Sequence, residues 1–132
     1  MIIFDIDDII FSHYLHKNCL SNFFQVVIIK NISRCYPRIE ILFLTSYSEI
    51  YRQDILKIIS KYLNCSKNGI DLTMSPVKKS KLSVDFKEQV GYDLGFKNIR
   101  LVYGGDKRAA NMWISHGITW IPNINKNWRE YK

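Results

Sequence analysis

The chain is poor in cysteine: Cys19, Cys35 and Cys65 are its only three, and no CxxC pair occurs. An odd, scattered set predicts neither a disulfide framework nor structural zinc and suits a reducing cytosol, as expected for a cytoplasmic protein. No apolar run approaches the roughly 18–20 residues that a transmembrane helix needs. The opening MIIFDIDD has acids at positions 5, 7 and 8 and lacks the basic stretch of a secretory signal. No GxxxxGK[ST] loop occurs, so a P-loop kinase is not expected. Internal repeats, low-complexity tracts and linkers are also missing.

What is present is enough for one folded unit. The 132 residues, 47% hydrophobic and 23% charged, fit a single globular domain spanning 1–132. The net charge of +7 is uneven: residues 1–66 hold 7 Lys/Arg against 6 Asp/Glu, and residues 67–132 hold 12 against 6. A basic half suits a polyanionic partner or an anionic substrate, and equally a solvated lysine-rich surface. Net charge speaks to association, not chemistry.

The hydrophobic pattern predicts strands alternating with helices. Residues 2–6 form an apolar run ending in acids, and residues 39–45 and 99–103 are similar runs. Shorter strands are expected at 69–74 and at 118–121, the last closed by Pro122. Leu20, Phe23, Phe24, Val27 and Ile28 share a helical face within 19–35, and Pro37 bars continuation. Ser46-x-x-Glu49 matches a capping box, opening a helix with Tyr51, Ile55, Ile58, Ile59 and Tyr62 on its apolar face. Leu82, Phe86, Val90 and Leu94 mark a helix over 80–94, and a helix over 109–116 should stop at Gly117. This βαβαβαβαβ order predicts an α/β fold: a three-layer, Rossmann-like, five-stranded parallel sheet with helices on both faces.

Such sheets bind ligands beyond the carboxyl ends of their strands. There the chain places Asp5, Asp7 and Asp8, then Thr45 and Ser46, then Gly104-Gly105-Asp106, with Lys87 on an intervening helix. Acids gathered at one edge repel unless a cation compensates them. Magnesium, which takes one or two carboxylates plus water and phosphate oxygens, is the economical choice. Lys87, Thr45 and backbone amides would serve an anionic substrate.

These residues resemble the haloacid dehalogenase superfamily of phosphohydrolases. Ile2-Ile3-Phe4-Asp5-Ile6-Asp7-Asp8-Ile9 is similar to its first motif, with Ile9 where Thr or Val is usual. Ile41 to Thr45 resembles the second motif, and Val84-Asp85-Phe86-Lys87-Glu88 the third. Gly105-Asp106-Lys107-Arg108-Ala109-Ala110-Asn111 resembles the fourth, with Asn111 where a second acid often stands.

The resemblance implies that Asp5 is a nucleophile that becomes an aspartyl phosphate. Asp7 would be the acid and base, its carboxyl on the same side of the extended chain. Thr45, with Ser46, would hold a phosphoryl oxygen, and Lys87 would neutralise nucleophile and phosphate. A magnesium ion would be held by Asp5, Asp7 and Asp106, with Asn111 orienting a bound water. Asp8 is expected to point away.

Only 37 residues separate Asp7 from Thr45, and five separate Met74 from Ser80, so neither gap holds a cap domain. Within the family, an open site often admits large substrates. Residues 69–74, 84–88 and 111–113 resemble the phosphatase half of bacteriophage polynucleotide kinase/phosphatase enzymes, with Tyr47 where those carry an arginine. Lys78, Lys79 and Lys81 would then follow a nucleic-acid backbone, or else form a solvated loop.

The expected activity is a magnesium-dependent phosphomonoesterase, acting on nucleic-acid 3′-phosphate ends or nucleotides. Its alternatives are a small-metabolite phosphatase and a non-catalytic nucleic-acid-binding module. A receiver-like phosphoacceptor fits less well, because Asp71 is expected inside the third strand. His13 and His16 read as surface residues, Trp113 and Trp120 as core or lid packing, and the cysteines as buried fillers.

Overall fold

Residues 2–5 offer three large apolar side chains in succession and become the centre of the molecule. A computed structural model describes residues 1–7, 29–32, 34–35, 37–63, 69–76 and 83–122. Its strands are β1 (Ile2–Asp5), β2 (Ile41–Ser48), β3 (Leu72–Ser75), β4 (Leu101–Tyr103) and β5 (Thr119–Ile121). All pairings are parallel, and the strand order is β3-β2-β1-β4-β5. Phe4 is flanked by Phe43 on one side and Tyr103 on the other. The expected parallel α/β sheet is thus present, and among the described residues no second domain interrupts it.

Three helices follow strands: α1 (Arg52–Leu63), α2 (Ser83–Leu94) and α3 (Lys107–Ser115). Residues 29–32 and 34–35 are also helical, matching the end of the helix expected over 19–35. The rest of that helix, and residues 80–82 at the start of the helix expected over 80–94, lie outside the described residues.

Strand side chains alternate between faces. Ile2 and Phe4 join Ile29, Phe43, Ile55, Ile59 and Leu72 in one core. Ile3 turns the other way and joins Leu44, Val90, Val102, Met112 and Trp113. Asp5 follows Ile3 by two residues, so it faces the side covered by α2. That parity aims the first acid at Lys87.

Three local expectations are corrected. The Ser46–Glu49 capping box does not form: β2 runs on to Ser48, which caps a short 3-10 turn over Glu49–Tyr51 before α1. Glu49 instead chelates Arg52 through two contacts of 2.7 Å. Tyr51 is exposed, not part of the apolar face, because it lies in that turn; Ile55, Ile58 and Ile59 are buried as expected. Cys35 is exposed, not a buried filler. Cys19, Cys65 and Leu82, and the Tyr62 side chain, lie outside what is described.

The last helix starts at Lys107, two residues early, because Asp106 caps it. It stops as expected at Gly117, whose φ of +79° suits a residue without Cβ. Asp71 precedes β3 and does not lie within it, so it sits at the amino edge of the sheet, away from Asp5.

Candidate active site

The strand order reverses beside β1, where β2 continues to one side and β4 to the other. Their carboxyl ends therefore enclose Asp5 from both flanks. From β2 come Thr45 and Ser46; from the turn after β4 come Gly104 and Gly105; from α2 above comes Lys87.

Lys87 is on the buried stripe of α2 with Phe86, Val90 and Gly91. Its ammonium Nζ lies 2.6 Å from Asp5 Oδ2 and 2.9 Å from Asp7 Oδ2. Asp5 is 0% and Lys87 1% exposed. A buried ion pair is costly to desolvate and strongly destabilising to break, so its presence here calls for a reason beyond packing.

Asp7 is the convergence point of the remaining donors. Its Oδ1 accepts from Thr45 Oγ1 at 2.6 Å and from the Ser46 backbone N–H at 2.8 Å. Its Oδ2 accepts from Ser46 Oγ at 2.7 Å, beside Lys87. Asp7 in turn donates its backbone N–H to Asp5 Oδ1 at 3.2 Å. Thr45 is fully buried and also accepts from the Tyr47 N–H.

The two acids are pushed apart in acidity. Burial drives the Asp5 carboxyl up to about 7; Lys87 opposes this and Asp7 adds to it. Burial also works against the charge of Asp7, but Lys87 and the hydrogen bonds from Thr45 and Ser46 outweigh it, and its pKa falls below the usual carboxylate range. Burial alone would discharge Lys87; Asp5 and Asp7 reverse this and raise its pKa above the usual value. Neighbouring carboxylates held at different acidities are the signature of divided acid–base roles.

Asp5 is also pressed by backbone. Gly105 has φ +90°, and a Cβ there would overlap Asp5 Oδ2 and stand 2.9 Å from Asp5 Cγ. Only glycine lets this turn approach the acid so closely.

Of the expected site residues, Asp5, Asp7, Thr45, Ser46 and Lys87 come together. Ser46 reaches Asp7 in place of a helix cap. The metal set of Asp5, Asp7, Asp106 and Asn111 is not assembled. Asp106 is exposed and its Oδ1 accepts from Ala109 N at 2.8 Å, satisfying a free amide of α3. Asn111 is exposed on the same helix. Among the described residues no three His, Cys, Asp or Glu side chains form a group able to hold a metal. Lys87 instead balances the two central acids. Lys78, Lys79, Lys81, Asp8, Ile9, His13 and His16 lie outside the described residues. Tyr47 packs against the core, and Trp113 is fully buried as expected.

Sequence reasoning missed Trp120, read only as packing. Its indole Nε1–H donates to Gly104 O at 2.7 Å. A cavity of about 600 Å³ lies elsewhere, at the amino edge among Ile41, Phe43, Leu63 and Asp71. Lys30 and Arg34 line it with Asp71, but among the described residues no ion pair forms there, so the Asp5–Asp7–Lys87 cluster and not volume locates the candidate site. Among the described residues no helix is long and apolar enough to cross a membrane. Set against family models, curated proteins and solved structures, the chain matches none.

Proposed function

We propose that the chain is a phosphomonoesterase in which Asp5 accepts the phosphoryl group. The observation that carries this reading is the donor set on Asp7. A threonine hydroxyl, a serine hydroxyl, a backbone N–H and an ammonium all aim at one carboxylate within 2.6–2.9 Å. Charge-assisted donors converging this way suit any compact oxyanion, and a phosphoryl group carries three such oxygens. Asp7 thus occupies, in the resting protein, the donors that a substrate phosphate would use.

The chemistry follows from that exchange. When a phosphate takes Thr45, Ser46 and Lys87, Asp7 loses the partners that hold its pKa down and becomes able to carry a proton. An ionised Asp5 oxygen then attacks phosphorus; the bond to the leaving oxygen breaks, and Asp7 gives that oxygen its proton. In the second half Asp7 removes a proton from water, the water oxygen bonds to phosphorus, and the Asp5–phosphorus bond breaks. Asp5 and inorganic phosphate are released.

The donor chemistry at Asp5 fits a hard divalent cation such as magnesium, being all oxygen with two carboxylates against one ammonium. Asp5 and the Asp7 backbone would hold it, while Asp106 stays at the head of α3 as its cap. Bound there, it would draw off the negative charge that burial makes costly on Asp5 and polarise a phosphoryl oxygen.

The substrate class proposed is a phosphomonoester at the end of a nucleic acid or on a nucleotide; small phosphorylated metabolites are the alternative. The purified protein should hydrolyse para-nitrophenyl phosphate in magnesium buffer, and Asp5→Asn should abolish turnover. Activity surviving that change rejects Asp5 as nucleophile. A panel of 3′-phosphorylated oligonucleotides against sugar phosphates separates the substrate classes.

One observation favours a second reading, a non-catalytic oxyanion- or nucleic-acid-binding module: Asp5 is wholly enclosed. In that case Asp5→Asn leaves ligand affinity unchanged or higher, and no substrate turns over.

A further inference from the structure

We infer that Trp120 is a positioning residue for Asp5, acting through the Gly104–Gly105 turn. Asp5 leans on Gly105 backbone, and that backbone has little of its own to fix it. Gly104 and Gly105 are consecutive glycines at φ +86° and +90°. Glycine is the residue whose conformation is least restricted, so a Gly-Gly turn holds its shape only if it is tied from outside. β5 supplies the ties. The Trp120 indole N–H donates to Gly104 O at 2.7 Å, and Ile121 O accepts from Gly104 N at 2.8 Å. The peptide groups on both sides of Gly104 are therefore held by two adjacent residues of one strand.

The rest of Trp120 is anchored too. It pairs in register with Val102, and its ring packs on the core cluster that contains Ile3, Val102 and Trp113. The line of contact runs from that core through the indole N–H to Gly104, and from Gly105 to the Asp5 carboxylate. Loss of the N–H would leave the ring in place and free the Gly104 carbonyl. Gly105 would then withdraw from Asp5, and the carboxylate would gain room to turn away from the line of attack.

The inference rests on the reading of Asp5 as nucleophile for its kinetic consequence, but not for its structural one, so the test has two arms. Trp120→Phe keeps an aromatic ring and removes the donor. Trp120→His returns a ring N–H, because the imidazole superposes on the five-membered part of the indole.

With para-nitrophenyl phosphate and magnesium, Trp120→Phe should lower kcat by about 10- to 100-fold and leave KM within about two-fold, the pattern of a misplaced reacting group. Trp120→His should recover part of the loss. In the second arm the carboxyl carbon resonance of Asp5 is read by NMR at fixed pH without substrate. It should move in the Phe variant and return toward the wild-type position in the His variant.

A kcat within about two-fold of wild type in Trp120→Phe overturns the inference. So does an unmoved Asp5 resonance, or a His variant no better than Phe in both arms. If wild-type protein turns over no phosphomonoester while the Asp5 resonance responds as stated, the phosphatase reading fails and the positioning role stands.

Discussion

Lys87 Nζ and Asp5 Oδ2 meet at 2.6 Å with both side chains shut away from solvent. One helix and the central strand are thereby joined by opposite charges in the interior, at the point where the phosphoryl chemistry is proposed.

Removing the cation should cost more than removing a typical surface charge. Lys87→Ala leaves Asp5 buried without its counter-charge, and an unfolding free energy about 3–5 kcal/mol lower is expected. Urea unfolding measures it. Adding Asp5→Asn to Lys87→Ala should return part of that loss, since the stranded charge is then gone. A double variant as weak as the sum of its parts would contradict the pairing.

The pH dependence of stability has a definite sign for each acid. The folded pKa of Asp5, about 7, lies above its ordinary value of 3.8. Its contribution is therefore fully present below pH 3.8 and is lost as pH rises toward 7, with a slope of at most about 1.4 kcal/mol per pH unit. Asp7 has the opposite sign: its folded pKa lies below 3.8, so its contribution is present above 3.8 and is lost as pH falls through the folded value. Asp5→Asn should gain on wild type between pH 4 and 7 and hold a constant lead above about 7. A difference that does not change with pH would remove burial as the cause of the Asp5 shift.

Thr45→Val and Ser46→Ala each delete a donor that reaches Asp7. Each should weaken binding of phosphate or vanadate by roughly 10-fold, the scale of one charge-assisted hydrogen bond. Isothermal titration with vanadate reads this directly. Unchanged affinity in both variants would detach the oxyanion site from these residues.

Gly105→Ala introduces a methyl that overlaps Asp5 Oδ2 at a backbone angle unsuited to a side chain. The expected loss is about 1–3 kcal/mol of stability from the backbone alone, together with most of the turnover. A variant of wild-type stability and rate would show that the turn is not pressed against the acid.

Much of this arrangement was legible in residues 2–5 and 41–45, because strands covered on both faces must be apolar and the first polar residue then marks the edge. Lys87 is legible only through its resemblance to the third motif, because the spacing of Leu82, Phe86, Val90 and Leu94 does not by itself put it on the buried side of α2. Ser46 was misread because Ser-x-x-Glu suits a helix start locally, whereas Asp7, distant in sequence, offers its hydroxyl and amide a stronger partner. Asp106 follows a strand end, which points it toward a metal, yet it also stands at the head of α3, whose open Ala109 amide donates to its Oδ1. Trp120 showed no signal at all. An indole N–H finds its partner through the β4–β5 register, and nothing in the local sequence announces that pairing.

The carboxyl edge draws on residues 5, 45, 87 and 105, and β1 acquires its neighbour β4 only once residues 101–103 have been made. Contacts so distant along the polypeptide form late, because loop closure must precede them. A nascent or truncated chain ending at β3 therefore carries Asp5 without Lys87 and without the glycine turn. On the proposed chemistry, the emergence of catalysis during synthesis doubles as a readout that folding is complete.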